Sequence, residues 1–236
     1  MIVPNVVTNL TEKYRQDKNI LGIMLFGSFA REKSDEYSDI DIYILWDKKK
    51  LFSRKNFVDH GIRVDIIADT IQEARQYLKE DSHNVRRNTS HMLAHGKVLV
   101  QRNNKMTELQ QIAKKNLRLS TKYSADEILM HKYSIDDFWG EVQRDLKARD
   151  SLAFVLDSQL LLGNIIEMFL KLHKTFFRQP NEMKKVLFEL DSRFARMLES
   201  FYTTSNTKKQ KEILEKLVKY IYDKSDGQMP DSWVTR

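Results

Sequence analysis

Asp39 and Asp41 stand two apart in the run Asp39-Ile40-Asp41-Ile42-Tyr43-Ile44, where polar and apolar residues alternate strictly. Alternation with period two is the mark of a strand with one buried face. Ile40, Ile42 and Ile44 then share the inner face, and the two aspartates share the outer one, about 7 Å apart along the strand. Carboxylates at that spacing repel unless a multivalent cation lies between them. Acidic residues also fit poorly in a strand. Hard oxygen ligands in this arrangement suit Mg²⁺, which keeps waters and substrate phosphates in its shell. A solvated strand face is the plainer alternative for the pair taken alone. Asp65 repeats the pattern in Ile62-Arg63-Val64-Asp65-Ile66-Ile67, with Ile62, Val64 and Ile66 inward. Three carboxylates from two neighbouring strands can hold two metal ions, one serving the attacking oxygen and one a leaving pyrophosphate.

Gly27-Ser28 follows the apolar run Ile23–Phe26, where a buried strand turns into a short helix. A glycine there lets backbone N–H groups come close to a ligand, and a helix N-terminus favours phosphate. Turns of this type also occur for purely structural reasons. Arg31, just after the turn, can reach a phosphate or lie on a solvated helix face. His91 and His95 have the i, i+4 spacing of metal ligands but no third partner at a useful distance in sequence, so they are set aside.

The elements that must position these groups come next. A helix is expected over Val6–Lys18, strands over Ile20–Phe26, Asp39–Leu45 and Ile62–Ile67, and a short last strand over Lys97–Val100. Leu51–Asp59 is ambiguous and reads at most as one helical turn. Thr70 with Glu73 forms a capping box that opens a helix to about Lys79, and a further helix over Val85–His95 stops at Gly96. From about Met106 everything reads as helix. Ser134–Ala148 is amphipathic, and Leu152–Phe177 is almost uniformly apolar, as in the central helix of a bundle. Val186 through Phe201 keeps one helical spacing. The boundary falls within 104–124, which gives an α+β domain over residues 1–104 and an all-α helical domain over 105–236.

The chain has 236 residues, 41% of them hydrophobic, enough for one large core or two modest ones. It contains no cysteine, which excludes disulfide and thiolate chemistry and fits a cytoplasmic protein. The start MIVPNVVTNL lacks the features of a signal peptide. The longest apolar stretch, around Leu160, is interrupted by Gly163, Asn164 and Glu167, so no membrane partner is expected. The net charge of +7 fits an anionic partner such as a nucleotide; nucleic acid is a further option without a motif to support it.

A Gly-Ser turn, a D-x-D strand and a third aspartate on a later strand together resemble the DNA-polymerase-β-type nucleotidyltransferase superfamily. The segment LFGSFAREKSDEYSDIDIYIL follows its motif almost position for position, and the resemblance covers residues 1–100. It implies a polymerase-β-like mixed sheet and Mg²⁺-dependent transfer of a nucleoside monophosphate, AMP from ATP in the first instance, to a hydroxyl acceptor. By that resemblance Gly27, Ser28 and Arg31 bind the nucleoside triphosphate. Asp39 and Asp41 ligate Mg²⁺, and Asp65 completes a two-ion site as ligand or general base.

The helical half resembles, in layout alone, the all-α domains of kanamycin-type antibiotic nucleotidyltransferases and the HEPN-type partners of minimal nucleotidyltransferases. His131 and His173 lack an arginine at the spacing of nuclease-active HEPN domains, so RNase activity is not expected. In Leu152–Phe177 a polar stripe holds Asp157, Asn164, Glu167 and Lys171; it is either the solvent side of the helix or, if it faces a cleft, the place where Glu167 is the candidate base or acceptor-binding wall. The acceptor is open between an aminoglycoside- or lincosamide-type antibiotic, a protein side chain and a small metabolite, with chain length and the two-domain layout leaning toward the antibiotic; a homodimer is one option for the assembly. Other readings are an antitoxin-like regulatory nucleotide-binding module and a protein- or RNA-modifying nucleotidyltransferase.

Overall fold

Five strands, β1 (Ile20–Phe26), β2 (Ile40–Trp46), β3 (Arg54–Asp59), β4 (Ile62–Thr70) and β5 (Lys97–Gln101), form one sheet in a computed structural model that describes residues 2–234. Their order is β3-β4-β2-β1-β5. β1 runs antiparallel to β2 and β5, and β3 antiparallel to β4, whereas β2 and β4 are parallel, with Ile40 opposite Val64 and Asp41 opposite Asp65. The alternation in β2 and β4 therefore acts in register. Ile40, Ile42, Ile44, Val64, Ile66 and Ala68 cluster on one face with Val6 and Leu10 of α1 (Ile2–Arg15). Each such isoleucine gains about 1.5–3 kcal/mol from burial, so this face fixes which way the aspartates point.

The opposite face is half covered. Met24, Tyr43 and Leu45 pack under α3 (Ile71–Asp81), α4 (Asn88–His95) and α5 (Lys105–Asn116). Those helices lie over the deeper part of the face; its other end, at Phe26, Asp41 and Asp65, adjoins the four-residue α2 (Gly27–Ala30). The capping box at Thr70 forms as expected, with the Thr70 hydroxyl accepting from Glu73 N at 3.3 Å and Glu73 Oε2 accepting from Thr70 N at 2.8 Å. The change in composition near residue 105 marks the start of α5. Met106, Leu109 and Ala113 are buried with the sheet, so the first compact unit is Met1–Leu119 and the second Ser120–Arg236.

Arg54–Asp59 departs from the sequence expectation: it is a strand. It lies at the sheet edge and is held by its pairing to β4, with only Phe57 and Asp59 partly buried. A charged edge strand needs no apolar face, which is why hydrophobic periodicity missed it.

The second unit comprises α6 (Ala125–Ala148), α7 (Ser151–Leu172), α8 (Pro180–Leu190), α9 (Ser192–Thr203) and α10 (Thr207–Lys224). α6 starts earlier than Ser134, at a capping box of Ser124 and Glu127. The helical spacing over Val186–Phe201 is divided at Asp191, whose carboxylate caps α9 through Arg193 N at 2.8 Å and Phe194 N at 3.0 Å. The same carboxylate accepts from Tyr220 Oη at 2.8 Å. Phe169 and Phe194 stack at 3.8 Å in the core.

α7 is not buried all round. Phe154, Leu161, Ile165 and Phe169 face inward, but Leu152, Val155, Leu156 and Leu160 remain 50–70% exposed. The polar stripe Asp157, Asn164, Glu167 and Lys171 lies half-buried on the flank, leaving the leucines to solvent. The interruptions at Gly163, Asn164 and Glu167 also do not lower its hydropathy enough to exclude a span. By length and composition, with mean hydropathy 1.5, α7 is the one helix among the described residues that could cross a membrane, and 39% of that window is buried within the protein.

Candidate active site

β1 delivers the chain to Gly27 in a conformation that few residues adopt. Gly27 has φ +72°, in the left-handed region, and a Cβ there would overlap the Asp41 carboxylate across the β1–β2 pairing. Both requirements select glycine. Phe26 offers no side-chain cap to α2, so the first N–H groups of that turn are left to another acceptor. Arg31 folds back over the turn and donates from Nε to the Gly27 carbonyl at 3.1 Å, while the Ser28 carbonyl accepts from Arg31 N and Lys33 N.

The loop into β2 is stiffened by its own side chains. Asp35 Oδ1 accepts from Tyr37 N at 3.0 Å and from Ser38 Oγ at 2.9 Å, and Ser38 Oγ accepts from Asp35 N at 2.9 Å. Asp39 follows directly. A cleft of about 540 Å³ opens beside it, lined by Phe29, Glu36, Tyr37, Ile62 and Arg63 among others.

Asp41 and Asp65 face each other in the parallel register. Burial first, then the Asp65 and Asp39 charges, push the Asp41 carboxyl up to about 6, against the opposing pull of Arg54 and Arg31. Asp65 is 8% exposed and bound by a fork: Arg54 Nε donates to Oδ1 at 3.0 Å and Nη2 to Oδ2 at 2.6 Å. Asn56, directly opposite Asp65 across β3–β4, donates to Oδ1 when its amide is turned nitrogen-first. The sequence reading missed Arg54 and Asn56. Once β3 is a strand, their i, i+2 spacing is the signal that places them on one face.

Glu167 lies on α7 of the second unit, 3.8 Å from Lys171. Asp136 accepts from Tyr222 Oη at 2.8 Å, and Glu141 from Arg144 Nε at 2.9 Å.

Whether these residues suit a divalent cation follows from their charges. Asp41 holds its proton to about 6 because it is buried beside two other carboxylates, and a hard cation would relieve that repulsion. Among the described residues no three His, Cys, Asp or Glu side chains are gathered tightly enough to hold a metal by themselves. Mg²⁺ needs only one or two carboxylates beside waters and substrate phosphates, so Asp39 and Asp41 fit it. Asp65 in this arrangement already carries a counter-ion.

Residues 8–105 match the family described as Polymerase beta, Nucleotidyltransferase. No curated protein matches the chain. Among solved structures, a nucleotidyltransferase-like protein from Exiguobacterium sibiricum 255-15 superposes with TM-score 0.57 at 11% identity, over 92% of this chain and 75% of that one. That likeness is one of fold. The Gly27 turn, the Asp39/Asp41 strand and the parallel partner carrying Asp65 all lie within the segment that matches this nucleotidyltransferase family, which supports a polymerase-β-like reading of the first unit.

Proposed function

We propose that the protein transfers a nucleoside monophosphate, AMP from ATP in the first instance, to a hydroxyl acceptor with release of pyrophosphate. The close approach of Gly27 to Asp41, set beside Asp65 by the parallel register, is the observation that carries this reading. Gly27 and Ser28 place backbone N–H groups against the triphosphate, and Arg31, braced on the Gly27 carbonyl, adds positive charge beside it. Asp39 and Asp41 would hold Mg²⁺, which supplies charge stabilisation to the phosphoryl oxygens and the leaving pyrophosphate. Asp65, on the neighbouring strand, stands as second ligand or as general base for the acceptor hydroxyl.

The cleft beside Asp39 supports a small acceptor; its rim carries Asp35, Glu36 and the 85% exposed Tyr37, groups that suit an amine-bearing sugar such as an aminoglycoside. Incubation with each α-³²P-labelled nucleoside triphosphate, Mg²⁺ and panels of antibiotics, proteins and RNAs tests the proposal. Label is expected in a small-molecule acceptor, lost in Asp41→Asn. Label in none of them, despite nucleotide binding, would favour a regulatory nucleotide-binding module.

A further inference from the structure

Two facts about the third carboxylate do not fit a site that waits open for two cations. Both Asp65 oxygens are engaged by one guanidinium, at 3.0 and 2.6 Å. The partner is placed to leave: the Arg54 side chain is 65% exposed on an edge strand, while the Asp65 side chain is 12% exposed on β4 between β3 and β2. An arginine fork matches a phosphate as well as a carboxylate, and a cation brought beside Asp65 would meet the arginine charge at close range.

We infer that Arg54 is the resting counter-ion of Asp65, and that an incoming polyphosphate must draw the guanidinium away before Asp65 can serve a cation. The free protein then offers a metal only the Asp39/Asp41 pair. Bound nucleotide supplies both a new partner for Arg54 and the phosphate oxygens that complete a second cation's shell. Arg54 is a positioning residue in this scheme, since it acts by withholding Asp65 and releasing it. The inference rests on the proposed nucleotidyl transfer and adds to it an order of events, with nucleotide before second metal.

The test counts Mn²⁺ bound to the full-length protein by the electron paramagnetic resonance of the free ion. Wild type, Arg54→Gln, Arg54→Lys and the double variant Arg54→Gln/Asp65→Asn are compared, each with and without α,β-methylene-ATP. Without nucleotide, Arg54→Gln is expected to bind Mn²⁺ at least tenfold more tightly, or to take one more ion per chain. Arg54→Lys, which keeps the charge and loses the fork, falls between it and wild type. Adding Asp65→Asn cancels the gain, and the analogue removes the difference between Arg54→Gln and wild type. Identical Mn²⁺ isotherms for wild type and Arg54→Gln without nucleotide would overturn the inference, as would a gain that survives Asp65→Asn. Failure of the proposed function reads differently: no label would reach any acceptor in the transfer assay, whatever the Mn²⁺ isotherms of the variants. Circular dichroism of each variant guards against misfolding, which the exposure of Arg54 makes a small risk.

Discussion

The Asp41 carboxylate fills the space in which a side chain on residue 27 would begin. One residue's lack of a Cβ is therefore the condition for the other's position. Gly27→Ala must both leave the left-handed region and displace Asp41. It is expected to cost roughly 1–3 kcal/mol of stability and to lower label transfer at least a hundredfold. Urea unfolding and the labelled-nucleotide assay read the two effects separately.

Asp41→Asn should abolish turnover and yet stabilise the metal-free fold at high pH. The Asp41 carboxyl titrates near 6 in the folded chain, and near 3.9 when unfolded. Between those values the folded state binds more protons, so its stability falls as pH rises through the interval and is fully present below it. After discounting for solvent access the effect is on the order of 1 kcal/mol. Thermal melts in EDTA at pH 4 and pH 8 should show the asparagine variant gaining on wild type only at pH 8.

The second unit should titrate with the opposite sign. Burial and the Lys171 charge hold His131 below the ordinary histidine range, although Glu167 and the bond to the Asn164 carbonyl (2.9 Å) pull the other way. Burial likewise lowers His173. The unfolded chain therefore binds more protons once pH drops below about 6.5. The stabilisation is complete above that pH and is lost below it. His131→Gln, which can still donate to Asn164, should flatten part of the slope in urea midpoints measured from pH 8 to pH 5.

Arg87, only 1% exposed, ties the end of the first unit together. Its guanidinium donates to the Leu119 carbonyl at 3.0 Å, to the Asn84 carbonyl at 3.2 Å, and to the Asn116 carbonyl. Arg87→Met strands the buried Asn116 carbonyl and the two partly buried ones and should cost about 2–3 kcal/mol. Urea unfolding would show it, whereas Arg118→Met, a nearby arginine exposed to solvent, should change little.

The sheet and its carboxylates were legible because β2 and β4 each bury an unbroken apolar row on one face, Ile40, Ile42 and Ile44 beside Val64, Ile66 and Ala68. Period two in Ile40–Ile44 and Ile62–Ile66 fixed the side on which Asp39, Asp41 and Asp65 emerge. Gly27 was legible from its place at the end of an apolar run. Arg54 and Asn56 were not, since an edge strand held mainly by backbone pairing leaves little hydrophobic trace. The outer face of α7 escaped for a related reason. Leu152–Leu172 is apolar on both faces, and composition alone does not tell a helix surrounded by protein from one with leucines in solvent.

The parallel β2–β4 pairing also bears on how the chain acquires its structure. Antiparallel β1–β2 can zip from a nearby turn, but β2 meets β4 only after the β3 excursion has closed, which is the slower kind of event. That same step brings Asp41 beside Asp65, so the rate of folding carries the repulsion that the finished site retains. Refolding should quicken as pH falls from 7 toward 5, and Asp41→Asn should refold faster than wild type at neutral pH. The groups placed for phosphoryl chemistry thus act as a brake on the chain's own maturation.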